Sequence, residues 1–78
     1  MIYIATFYSH FGAIRFKKEH TDIRSPKLMP VPRNLSSSCG TCVRFEADEF
    51  KIGADPKGEI EQIVAVKENG YETIYHAE

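Results

Sequence analysis

Two thiols stand three positions apart in the run Ser36-Ser37-Ser38-Cys39-Gly40-Thr41-Cys42, the stretch of this chain with the most specific chemistry. Small polar neighbours leave a thiol open to solvent. Consecutive backbone N–H groups in a glycine-containing turn form a concavity that holds anions. Arg33 is near enough in sequence to fold over such a turn. A cation and a set of N–H groups beside Cys39 favour its thiolate, the form that attacks electrophiles. Cys39 is therefore the candidate reactive residue, with Arg33, Ser36, Ser37, Ser38 and Gly40 as candidate binding residues around it.

The C-x-x-C spacing also occurs in disulfide oxidoreductases and zinc sites. In an oxidoreductase the motif opens a helix whose N-terminus stabilises the thiolate, whereas here it runs into the strand-like Thr41-Cys42-Val43-Arg44-Phe45. Cys42 then reads either as a resolving thiol or as a half-buried strand residue. Zinc would need two more ligands from His10, His20, His76 or carboxylates, and none stands at a paired spacing, so no metal is expected. Glu46, Asp48 and Glu49 read as a solvated acidic face. Tyr3, Phe7, Phe45, Tyr71 and Tyr75 lack the basic glycine-aromatic pattern of an RNA-binding sheet and read as core. Glycine-rich phosphate loops, catalytic triads and paired catalytic carboxylates are not suggested, and no cofactor is implied.

These residues must be positioned by a small fold. With 78 residues, 42% of them hydrophobic and 27% charged, the chain has the composition of one globular domain over 1–78. Its net charge of −1 gives no field to attract nucleic acid or an anionic membrane. No apolar run approaches the roughly 18 residues of a membrane span, and Met1-Ile2-Tyr3 has no basic leader region, so a cytoplasmic location is expected. Two cysteines this close make a poor disulfide framework.

Ile2 to Phe7 predicts a buried strand, and Ser9 an N-cap for a helix over 10–20 in which Ala13, Ile14 and the stem of Lys17 share a face. Lys27 to Val31 predicts a short edge strand carrying Pro30, with Pro32 just beyond it. A polar loop from Asn34 to Gly40 leads into a strand over 41–45, and a long connection follows. Ile60, Ile63, Val64 and Lys67 fall on one helical stripe that ends at Asn69-Gly70. The competing reading of that segment is a hairpin with Tyr71 to Tyr75. Taken as a helix, it gives the order βαββαβ, an α+β ferredoxin-like sandwich. Its single four-stranded antiparallel sheet would carry both helices on one face. The expected core is Ile2, Ile4, Val43, Phe45, Ile60, Ile63, Val64 and Ile74.

Thr6-Phe7-Tyr8-Ser9 leading into a helix with Ala13, then Pro30 to Gly40 followed by Val43-Arg44-Phe45, resembles a small bacterial family. That family is the selenium/sulfur carrier-like proteins, the DUF3343 domain, similar to the C-terminal part of the selenium-metabolism protein YedF. The likeness covers nearly the whole chain. It implies a compact α/β domain with Cys39 as hallmark residue and a role in carrying sulfur or selenium. It also favours a helix over the Ile60 to Asn69 segment. The chain departs from the usual pattern in a longer connection between Phe45 and Ile60 and in the polar His20-Thr21 end of the first helix. The leading expectation is a carrier, not a turnover enzyme, which holds a persulfide or selenosulfide on Cys39 and meets donor and acceptor proteins. The alternative is a small-ligand or protein-binding module with an incidental thiol. The small size, the edge strand with Pro30 and Pro32, and a sheet face expected to leave aromatic side chains uncovered also suggest self-association as a homodimer or docking on a partner.

Overall fold

A computed structural model of the protein describes residues 1–20, 22–35, 37–50, 52 and 58–77. Strand β1 (Ile2–Phe7) is followed by helix α1 (His10–Glu19), then β2 (Arg24–Pro30), β3 (Thr41–Glu46), β4 (Ile60–Lys67) and β5 (Gly70–His76). The strands form one sheet in the order β2-β3-β1-β4-β5, every neighbouring pair antiparallel. β1 and β2 thus run parallel on either side of β3, with α1 crossing over between them. β3 and β4 likewise flank β1, joined through residues 47–59.

The central strand explains why Ile2 to Phe7 is almost wholly apolar. Residues 3–7 are all buried because both faces of β1 are covered. Tyr3, Ala5 and Phe7 face α1 and join Ala13, Phe16, Val43, Phe45, Phe50, Ile60 and Ile63 in the main core. Phe16 is its hub, with ring centroids 5.4 Å from Phe7 and 5.5 Å from Phe45. On the opposite face Ile4, Cys42 and Val64 form a second cluster, roofed by Met29, Val31, Leu35, Val66 and Tyr71.

Ser9 caps α1 as its sequence predicts: its backbone is extended, and its Oγ accepts the Gly12 N–H at 3.2 Å. At the other end His20 donates both its backbone N–H and its Nδ1–H to the Phe16 carbonyl, each at 3.1 Å. Lys17 and Lys18 in the last turn complement the helix dipole. The buried face of α1 is Gly12, Ala13 and Phe16; Ile14 is turned outward, contrary to the expected stripe. This helix is too short to cross a membrane.

The expected four-stranded sandwich with two helices is overturned, because Ile60–Lys67 is a strand, paired with β1 and with β5 in a hairpin. Among the described residues α1 is the one helix, and the sheet has five strands. The helix-like spacing comes from a β-bulge. The β1–β4 register passes from Thr6↔Gln62 to Phe7↔Ile60, leaving Glu61 as an extra residue. This slip puts Ile60 and Ile63, three apart, on the same face, a spacing that imitates one helical turn. Glu68 and Asn69 then form the hairpin turn, and Gly70 takes φ +135 as the first paired residue of β5. Of the expected core, Ile2 is half-buried and Ile74 is 39% exposed; the other six residues are buried.

Candidate functional site

The two cysteines lie where β2 passes into β3. The Val31 N–H donates to the Gly40 carbonyl at 3.0 Å, closing a loop between them, and within it the Leu35 N–H donates to the Pro32 carbonyl at 3.0 Å. Gly40 has φ +75, a left-handed conformation that turns the chain from the loop into β3 at little cost for glycine. At this end of the sheet the first turn of α1 comes alongside: His10 Nδ1 is 3.3 Å from Thr41 Oγ1.

Cys39 is half-buried and free, and packs at the margin of the helix-side core. Its Sγ–H points to the Thr41 carbonyl at 3.5 Å. Cys42 is free and completely buried in the other cluster, its Sγ–H directed to the Pro30 carbonyl at 3.8 Å. Burial pushes the Cys42 thiol up to about 11, and the neighbouring Cys39 adds to the effect. At neutral pH Cys42 is a protonated packing residue.

The serines divide. Ser38 is exposed and gives both donors to one side chain: its N–H to Glu61 Oε1 at 3.0 Å and its Oγ–H to Glu61 Oε2 at 2.8 Å. The anion held by this turn is thus a carboxylate of the protein's own β4. Ser37 is half-buried, and its Oγ, like that of Thr6 beside Cys42 in the β1–β3 register, has no hydrogen-bond partner among the described residues. Ser36, a further candidate, lies outside the described residues. Arg33 is exposed in the Pro32–Leu35 turn, and no described contact joins its guanidinium to Cys39.

Glu61 enters the site only through the fold, as does the contact of His10 with Thr41. So does Tyr71, whose Oη–H donates to Asn34 Oδ1 at 3.2 Å and ties the far side of the loop to β5. The partners of these contacts stand 23 to 37 positions apart in sequence, and no local pattern announces them. Among the described residues no three histidines, cysteines or carboxylates come together as metal ligands. A shallow apolar groove lined by Phe50, Ile52, Ile74 and Tyr75 includes neither cysteine.

Of the two thiols only that of Cys39 is partly exposed, between the clasped Ser38 and the left-handed Gly40. Neither the comparison with curated proteins nor that with solved structures gives a match. A family model does match, over residues 2–76, and by it the chain belongs to the family described as "Putative Se/S carrier protein-like".

Proposed function

We propose that Cys39 is the carrier thiol, holding one sulfur or selenium atom between a donor and an acceptor protein. Membership of the carrier family supports the reading. The observation that carries it is the contrast between the two thiols, Cys39 half-buried at a loop and Cys42 sealed in the core.

Loading needs no external oxidant. The Cys39 thiolate attacks the terminal sulfur of a donor persulfide, R–S–SH. A new S–S bond forms to Cys39 as the donor's own S–S bond breaks, and the electron pair leaves on the donor thiolate, R–S⁻. A donor R–S–SeH gives the selenosulfide in the same way. In delivery the outer atom is again the electrophile: an acceptor nucleophile attacks the terminal sulfur or selenium, and Cys39 departs as thiolate. The protein is restored at each cycle, as a relay requires.

The test is intact-mass analysis after exposure to glutathione persulfide. The wild type should gain the mass of one sulfur atom, removable by dithiothreitol and mapped to Cys39, and Cys39→Ser should gain nothing. A wild type that stays at its starting mass overturns the carrier reading and favours a binding module with an incidental thiol.

A further inference from the structure

Glu61 is the extra residue of the β4 bulge, and bulges at sheet margins re-aim side chains. Its backbone is fixed by the Ala77 N–H, which donates to the Glu61 carbonyl at 2.9 Å. Its carboxylate is thereby turned to the loop, where its two oxygens accept the N–H and the O–H of the same residue, Ser38. Two bonds to one residue fix both the peptide plane before Ser38 and the Ser38 rotamer, and Ser38 is bonded directly to Cys39. On the other side Gly40 is held by the Val31 N–H. Cys39 therefore sits between two anchored residues. A polar contact this exposed contributes little to stability. Its effect is on orientation.

We propose that Glu61 is the positioning residue of Cys39: the Glu61–Ser38 clasp keeps the thiol in its half-buried seat and shelters the atom it carries. The proposal rests on the reading of Cys39 as the carrier, and it gives β4 a role in the site that no nearby residue in the sequence announces. Loss of the clasp lets the loop swing outward, so both the free thiol and the loaded persulfide meet small reagents more often.

The experiment compares wild type with Glu61→Ala, Glu61→Gln and Ser38→Ala. One arm needs no sulfur: the rate of iodoacetamide alkylation at Cys39, followed by peptide mass. Glu61→Ala should react about five-fold faster and Ser38→Ala about two- to three-fold faster, in keeping with loss of two hydrogen bonds and of one. Glu61→Gln should stay within about two-fold of wild type, because its amide oxygen accepts the Ser38 N–H and its NH₂ donates to Ser38 Oγ. The second arm loads each protein with glutathione persulfide and times its discharge by dithiothreitol, which should follow the same order. A role confined to fold stability would lower the melting temperature of Glu61→Ala while leaving the alkylation rate of Cys39 in the native state unchanged. Should Glu61→Ala fail to fold by circular dichroism, Ser38→Ala and Glu61→Gln decide. Equal rates in all variants, or Glu61→Gln reacting as fast as Glu61→Ala, overturn the proposal. A wild type that never loads defeats the carrier reading instead, and the alkylation arm still reports whether Glu61 holds the thiol.

Discussion

Cys39 and Cys42, close neighbours in the chain, end in different hydrophobic clusters: Cys39 at the margin of the core beneath α1, Cys42 wholly buried on the opposite face of the sheet. Strand alternation places Cys42 with its cross-strand neighbours, whereas Gly40 at φ +75 releases Cys39 from that alternation. The C-x-x-C spacing therefore yields two thiols of unlike exposure.

One thiol per native chain should be modified rapidly by iodoacetamide, and peptide mapping should assign it to Cys39. The second should appear only on denaturation. Because Cys42 is protonated and sealed, Cys42→Ala should leave the lifetime of a loaded Cys39 within about two-fold of wild type. A marked lengthening would instead identify Cys42 as a resolving thiol.

Stability should fall at alkaline pH through Cys42. Its thiol is raised from 9.0 to about 11 in the native state, so the folded chain binds the proton more tightly than the unfolded chain. Below pH 9 the full contribution is present; as pH rises towards 11 the unfolded chain sheds its proton first and the contribution is lost, at most about 2–3 kcal/mol. Urea denaturation across that window should show a smaller decline in Cys42→Ala than in wild type.

Two phenylalanines on α1 should differ sharply on truncation. Phe16, 3% exposed, packs on Phe7, Phe45 and Phe50, and Phe16→Ala should cost about 3–5 kcal/mol. Phe11, 75% exposed, should be replaceable by Ala within about 0.5 kcal/mol. Thermal melts of the two variants check both.

Replacement of Gly40 by Ala meets no steric obstacle, since an added Cβ has nothing within 4 Å, but it places a side chain at φ +75. The cost should be about 1 kcal/mol. Gly40→Asn should cost less, because asparagine tolerates this conformation. Chemical denaturation should rank the three proteins in that order.

The elements that the sequence made legible are those whose signals are local. Ile2 to Phe7 announces a buried strand by its apolar run, Ser9 announces the start of α1, and the cysteine loop is marked by its serines and glycine. What failed was the Ile60 to Asn69 segment, where the bulge at Glu61 imposed a helix-like spacing on a strand. The buried face of α1 differs from the expected one because Phe16 is drawn inward by aromatic partners from β1, β3 and the connection, which no window along the helix contains. Around Cys39 the candidate thiol could be singled out but not its support. Arg33 is nearest in sequence yet stays exposed, while the group that engages the loop is Glu61 from a strand laid down on the far side of β1.

The placing of β1 at the centre of the sheet has a bearing on how the thiols become distinct. Its two neighbours come from Thr41–Glu46 and Ile60–Lys67, so its pairing is dominated by distant segments and folding of such a chain is slow, on the order of milliseconds to seconds. β4 brings Glu61 to the loop and Val64 to the Cys42 cluster, so both thiols gain their native surroundings only with that strand in place. A segment more than fifty residues into the chain thus sets the surroundings of a thiol at position 39 and of one at position 42 alike.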